Sequence, residues 1–471
     1  MLELAKNFVQ FHYDNKMAIM NADFPRPLIF TKGIEKLKDA LDNPSLIKEG
    51  KLLDLLIKFK VLVKGQEIKP KTHQSFIFEG KKDLGLYMLV TQSCNLRCNY
   101  CLGDNPGYMN CQTMNLDTAK KALEKAAQSM LPNGKIQVIY FGGEPLLNWK
   151  LIKQCIEYID NDLKNRFDVK FKNHVTTNLT LLPEDFIDLA IKHDISVLVD
   201  IDGDKNIHNK MRPEKTGKGS YDTIMKNLEK ISKSSIYYEL RATVTSDNVN
   251  HIRDISNHHS NLNPAACAFP TLIPVDSEGN PISSDLYPNP DTFSKGLKDV
   301  ILDNKFDLSC VCPSNVISAR MLRGEFVIYG CGMILGNTAV INYDGDVYPC
   351  IYFVGQKDFL LGNIKESNNP LSQKNWYDKF YSKHESKLHV DNLEECKDCS
   401  IRYLCGGGCS VRMLSLNRND QTSLKARKYF LDINCKSSWA SVEAAIKYFE
   451  NKTKDGKPAY VATNPPGKGG W

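Results

Sequence analysis

From residue 85 to about 270, apolar runs alternate with amphipathic stretches in a regular order. Residues 86–90 form a short continuous apolar run, as expected of a strand buried on both faces. Residues 116–130 repeat their apolar positions at helical spacing, and 136–141 is again strand-like and enters Gly142-Gly143. The order continues with a helix over 151–164, a strand over 169–175, a helix over 183–193 and a strand over 195–201. A helix over 221–232 and a strand over 238–245 follow. Repeated βα units of this length predict an α/β fold built on a parallel sheet or partial barrel, with chemistry at the carboxyl ends of its strands.

Residues 1–80 contain no cysteine and read as a small α+β module. Residues 28–30 and 61–63 are strand-like, 33–41 and 51–59 are helical, and 64–74 is a polar linker. The stretch 272–290 carries Pro274, Gly279, Pro281, Pro288 and Pro290, a density of breakers that marks a boundary. Beyond it, 310–435 is cysteine-rich and loop-rich, and the end after Glu450 is polar and rich in Pro and Gly. The expected domains are therefore 1–80, 81–305, 306–440, and a terminal piece 441–471 holding a helix end and a flexible tail.

Net charge is +6 over 471 residues, with the basic side chains spread out rather than gathered into a nucleic-acid footprint. No run approaches the ~20 apolar residues needed to cross a bilayer, and residues 1–22 lack a signal-peptide core. The expected location is the cytoplasm, with neither nucleic acid nor membrane as a partner. Fifteen cysteines change this ordinary picture. In a reducing compartment an odd, large cysteine count points to metal or redox chemistry rather than to disulfides.

Cys94, Cys98 and Cys101 follow a predicted strand in a Cys-x3-Cys-x2-Cys loop. A 4Fe–4S cluster normally takes four thiolates, so three from one loop leave one iron for a small-molecule ligand. The competing reading is a zinc knuckle, although zinc sites more often pair Cys-x2-Cys units with a distant second pair. The loop resembles that of the radical S-adenosylmethionine (SAM) superfamily, and further matches follow in that family's order. Gly142-Gly143-Glu144-Pro145 resembles the strand-two motif that receives the SAM ammonium, with glycines allowing close backbone approach. Thr176-Thr177-Asn178 is similar to a motif near the SAM ribose. Asp202-Gly203, His208 and Arg212 resemble a DG-x4-H-x3-R segment whose arginine pairs with the SAM carboxylate. Arg241 sits on the next strand as in related maturases, and Tyr100 joins the implied SAM contacts. Asp200 is counted among the implied SAM contacts but departs from the pattern, because relatives often carry serine there and an acid could repel the SAM carboxylate. Read alone, Arg212 and Arg241 fit a surface salt bridge equally well.

A second constellation runs Cys331-x13-Gly345-x4-Cys350, then Cys396-x2-Cys399-x5-Cys405-x3-Cys409, then Cys435. It resembles the SPASM (twitch-type) extension of radical SAM enzymes, which binds two auxiliary 4Fe–4S clusters; structural zinc is the alternative. The resemblance implies that Cys396, Cys399, Cys405 and Cys435 hold the cluster farther from SAM, and Cys331, Cys350 and Cys409 the nearer one. The fourth ligand of the nearer cluster would be Cys310 or Cys312, with Cys312 preferred. Cys111, Cys155 and Cys267 match no motif and read as buried, inert thiols.

The implied fold is a partial (β/α)6 TIM-like barrel flanked by a winged-helix-like N-terminal module and a C-terminal iron–sulfur domain. The implied cofactors are SAM and three 4Fe–4S clusters, one binding SAM and two auxiliary. One electron to the sulfonium would release a 5′-deoxyadenosyl radical that takes hydrogen from an unactivated C–H bond. The implied activity is maturation of a ribosomally made peptide, installing a thioether or carbon–carbon crosslink. The peptide would be held through a leader segment by strand addition, with a low-potential donor such as flavodoxin or ferredoxin. The alternative is a formylglycine-forming sulfatase maturase. Those relatives usually carry an acid directly after the cysteine matching Cys350, where this chain has Ile351.

Overall fold

The computed structural model describes the chain except residues 1, 6–7, 14, 22–23, 31, 45–46, 48–49, 65–79, 102–110, 277, 324, 326, 417–419 and 454–471. Most of the expected linker and the whole Pro/Gly-rich tail lie outside the described residues. The N-terminal module has a two-stranded pair, β1 (Glu3–Leu4) with β5 (Leu62–Val63). It also has an antiparallel sheet of β2 (Phe8–Tyr13), β3 (Lys16–Asn21) and β4 (Phe24–Phe30), and the helices α1 (Ile34–Asp42) and α2 (Lys51–Lys58). β2, which exposes Gln10 and His12, and β3 go beyond the expected strands; β3 escapes the sequence pattern because it is buried on both faces. Its Met17 and Ile19 pack with Leu37, Leu41 and Leu56 of the helices, while Ala18 and Met20 pack into the main core. Period-two alternation vanishes in such a strand.

The main sheet starts with β6 (Lys81–Thr91), β7 (Met130–Gly142), β8 (Val169–Thr177) and β9 (Ser196–Asp200). It continues through β10 (Tyr238–Arg241), β11 (Ala266–Ala268) and β12 (Val311–Cys312), all parallel and in sequential order. Helices cover its outer face, among them α3 (Leu116–Gln128), α4 (Trp149–Tyr158), α5 (Phe186–Lys192), α6 (Lys205–Met211), α7 (Tyr221–Ser232), α8 (Ile252–Asn261) and α9 (Pro290–Leu302). This is the expected partial barrel. The caps are local: the Asn115 carboxamide accepts from the Thr118 amide to start α3, and Asn289 caps α9 with Pro290 at its first position.

Two limits differ from expectation. β12 lies past 305 yet pairs with β11, since its two residues complete the sheet edge. At the other edge, β13 (Thr338–Ile341) pairs in parallel with β6 and carries β14 (Asp346–Tyr348) and β15 (Gly362–Asn363), so one sheet runs into the cysteine-rich region. That region also contains α10 (Ser314–Arg323). Helix α11 (Gln421–Thr453) crosses 440 unbroken, because it packs along α9 and α10 and has no Gly or Pro to stop it. No helix among the described residues is long and apolar enough to cross a membrane.

Lys81 opens β6 at the seam between the barrel and the cysteine-rich region. It is buried, its Nζ has no hydrogen-bond partner, and it lies 4.8 Å from the centre of the Trp376 ring. A cation over indole contributes about 0.5–2 kcal/mol, less than the cost of burying an ammonium. Burial wins and lowers its pKa to about 7. Above that value the folded chain carries a neutral Lys81 while the unfolded chain still binds the proton, so raising the pH favours folding. Stability should therefore climb between about pH 7 and 9, by at most about 1.4 kcal/mol per pH unit. Thermal melts of the wild type and K81M across that range would show the slope diminished in K81M, with a higher melting temperature at pH 7.

Candidate functional site

The C-terminal ends of β6 to β10 lie together at one end of the parallel sheet. After β6 come Cys94, Cys98 and Cys101; β7 ends in Gly142, β8 in Thr177, β9 in Asp200 and β10 in Arg241. Gly142 and Gly143 are required by the cysteine loop itself. A Cβ on Gly142 would sit 2.1 Å from the Thr91 carbonyl oxygen, and one on Gly143 2.2 Å from that of Ser93. The amides of Gly143 and Glu144 donate to these same two carbonyls at 2.9 and 2.8 Å. The close approach expected of these glycines thus joins two backbone segments.

Glu144 is fully buried and accepts from the Leu146 amide (2.9 Å), the Thr177 hydroxyl (2.7 Å) and the Asn178 amide (2.7 Å). Burial raises its pKa to about 7 against the pull of those three donors. The Asn178 carboxamide in turn donates toward the Cys94 sulfur at 3.7 Å and to Asn95 at 3.1 Å. Glu144, Thr177 and Asn178 therefore fasten β7 and β8 to the thiol loop.

Opposite the thiols lies a buried charge network. Arg241 grips Asp200 through Nε (2.6 Å) and Nη2 (3.1 Å); Arg212 reaches Asp200 at 3.2 Å and Asp202 at 2.7 Å. The Tyr100 hydroxyl donates to Asp202, and its ring lies 5.3 Å from the Arg212 guanidinium carbon. Neither arginine forms the surface salt bridge that its sequence position alone permits. Asp200, rather than standing as an uncompensated acid, is the counter-ion of both, and their charges hold its pKa low against burial.

Arg212 is placed by its helix. Gly203 has φ +146, and the Asp204 carboxylate caps α6 by accepting from the amides of Asn206 and Ile207. His208 Nδ1 accepts from the Asp202 amide at 3.3 Å; its Nε2 lies 3.1 Å from the Ser220 hydroxyl, which donates to the Arg212 carbonyl at 2.6 Å. This pattern needs a neutral imidazole, and burial lowers the His208 pKa to about 4.

The remaining thiols fall into two groups. Cys396, Cys399, Cys405 and Cys435 line one cavity with Arg402, Arg412, Ser438 and Trp439. Cys331, Cys350 and Cys409 are mutual electrostatic neighbours. The Tyr87 phenol has Cys350, Cys331 and Cys312 near it, whereas Cys310 lies beside Asp307 and the Ser309 hydroxyl. Cys155 and Cys267 are buried as expected, but Cys111 is exposed, so the buried-thiol reading of that residue is corrected. It precedes the edge pairing of Thr113 with Thr91 and has φ +53, a turn position at the surface.

Among the described residues no three Cys, His, Asp or Glu side chains converge to hold a single metal ion, but the thiol loops carry features that suit iron–sulfur clusters. Backbone amides two residues after each cysteine donate to sulfur at Cys94, Cys331, Cys350, Cys399 and Cys409, as ligand loops that stabilise sulfur charge require. Burial pushes the Cys94 thiol up to about 11 and those of Cys396 and Cys409 to about 12, so ionisation must accompany metal binding. The sequence pattern did not reveal Gly406-Gly407-Gly408, all at positive φ. A Cβ on Gly330 would lie 2.1 Å from the Gly408 carbonyl, so this run seats Cys405 and Cys409 beside Cys331. Three glycines between two ligand cysteines were its only sequence signal.

Comparison with known proteins matches residues 88–255 to the radical SAM superfamily and 331–400 to SPASM, an iron–sulfur cluster-binding domain. A cysteine-type anaerobic sulfatase-maturating enzyme of Clostridium perfringens is 26% identical over 334 residues, covering 68% of this chain and 86% of that protein. The solved anSMEcpe structure with bound AdoMet superposes with a TM-score of 0.63 at 21% identity, over 79% of this chain and 100% of that one. Streptococcus suis SuiB bound to precursor peptide SuiA gives 0.53 at 15%, over 90% of this chain and 99% of that one.

In a G143A variant the added methyl must push the cysteine loop off β7. Iron analysis after anaerobic reconstitution should find roughly four fewer irons per chain, while circular dichroism stays close to wild type.

Proposed function

We propose that this chain, a radical SAM enzyme with a SPASM iron–sulfur extension, oxidises a ribosomally made precursor peptide held through its leader. In that peptide it would install a thioether or carbon–carbon crosslink. The N-terminal sheet carries this reading. Among the described residues β2 pairs only with β3, which leaves one edge open to an extended peptide, while Ala18 and Met20 fix the sheet to the main core. A fold match over 90% of the chain to SuiB, a protein solved with its precursor peptide, supports the same assignment.

Cys94, Cys98 and Cys101 would hold the SAM-binding cluster. Cys331, Cys350, Cys409 and Cys312 would hold the nearer auxiliary cluster, and Cys396, Cys399, Cys405 and Cys435 the farther one, making three. With SAM bound, this set supplies reductive cleavage of the sulfonium and a 5′-deoxyadenosyl radical. Arg212 and Arg241 orient the SAM carboxylate and Tyr100 walls the site. Gly142, Gly143, Glu144, Thr177 and Asn178 are positioning residues that act through the cysteine loop. Asp200 tempers the two arginines: with Asp202 it balances their charge before any ligand arrives, so the SAM carboxylate must share them. His208 holds Arg212 through Ser220 and moves no proton at neutral pH.

Formylglycine formation is the second reading, favoured by the 26% identity to a sulfatase-maturating enzyme. Against it stands Ile351, which offers no proton acceptor beside Cys350. Mass spectrometry separates the two. With SAM and dithionite in place of the low-potential donor, a precursor peptide encoded beside this gene should lose two hydrogens. A cysteine-containing sulfatase peptide should stay unchanged; conversion of its thiol to an aldehyde would reverse the order of the readings. Absence of 5′-deoxyadenosine with either peptide would sink both.

In D200S the arginines lose one of two counter-ions. SAM should bind the reconstituted protein about tenfold more tightly, a difference of about 1.4 kcal/mol, measurable by equilibrium dialysis. Unchanged or weaker binding would remove Asp200 as a competitor for the arginines.

A further inference from the structure

Arg412 follows Cys409 by one helical turn and is buried to 1% exposure, among the largest fully buried side chains in the chain. Its Nη2 donates to the Gly407 carbonyl at 3.1 Å. Its Nη1 faces Glu395 Oε1 at 3.5 Å, close enough for charge attraction and too long for a hydrogen bond. Its Nε and Nη1 have no acceptor among the described residues. Glu395 is itself divided, since Arg427 approaches the same oxygen at 3.1 Å. A buried guanidinium left with open donors costs several kcal/mol unless a further anion compensates it.

That anion is indicated by what surrounds Arg412. The side chain lines the cavity of Cys396, Cys399, Cys405 and Cys435, and its charge acts on Cys396 and Cys435 there. It acts also on Cys409, which belongs to the other thiol group. The guanidinium thus stands in the wall between two sites. An iron–sulfur cluster held by four thiolates is an anion, and its potential follows local charge and hydrogen bonds to sulfur.

Resting on the cluster assignment above, we propose that Arg412 is a cation shared by both auxiliary cluster sites, raising the reduction potential of each and coupling the charge of one to the other. Arg427, held off by Glu395, is not part of this pair. Ser438, whose hydroxyl donates to the Cys405 sulfur at 3.3 Å, acts on the farther site alone.

Two variants of the reconstituted full chain test this, with EPR-monitored redox titration and iron analysis as readouts. R412Q should lower both auxiliary potentials, each by at least a tenfold change in the oxidised-to-reduced ratio, about 59 mV for one electron. E395Q, which removes the opposing carboxylate, should shift both upward. The cluster on Cys94, Cys98 and Cys101 should titrate unchanged in either variant. A shift confined to one auxiliary cluster, or none in iron-replete R412Q, overturns the proposal. If R412Q sheds iron, E395Q decides, and a potential that fails to rise there also overturns it. Wild-type protein lacking the auxiliary clusters would instead overturn the cluster assignment, and this inference with it.

Discussion

Strand β6 is the member that joins the barrel thiols to Cys312, Cys331 and Cys350. It pairs with β7 on one side and β13 on the other, both in parallel. Its carboxyl end launches the cysteine loop, and its middle presents Tyr87 toward Cys312, Cys331 and Cys350. One hydrogen-bonded strand therefore sets the separation between the SAM-type site and the nearer auxiliary thiols. The glycines at the end of β7 then lock the loop onto this frame, because only a residue without Cβ admits the Thr91 and Ser93 carbonyls.

Charge balance is the second constraint, and it is met differently at the two ends of the molecule. At the barrel rim two arginines face two aspartates with good geometry, so the network is compensated before any ligand arrives. In the cysteine-rich region Arg412 has a distant, divided carboxylate and open donors. The first arrangement favours an orderly rest state; the second makes sense only with an anion in place.

Much of this was legible in the sequence, and the reasons are physical. The resemblance of the cysteine pattern to a known domain implied one ligand set for Cys396, Cys399, Cys405 and Cys435, and the fold brings these four to one cavity. Strands β6 to β10 were readable because each has a strand-like segment set between amphipathic helical stretches. β3 was not, since a strand buried on both faces loses its alternation. Lys81 and Arg412 look like any other basic residue until tertiary packing surrounds them. The meaning of Asp200 was hidden for a related reason: whether an acid repels or compensates depends on which cations the fold brings to it.

The glycine run between Cys405 and Cys409 ties the two thiol groups together mechanically. Gly406 and Gly408 rest on the backbone of Tyr329 and Gly330, one residue ahead of Cys331, with no side chain between them. Cys405 belongs to one thiol group, and Cys331 and Cys409 to the other. Neither group can open without dragging this seam. A displacement at one group would therefore press directly on the backbone of the other.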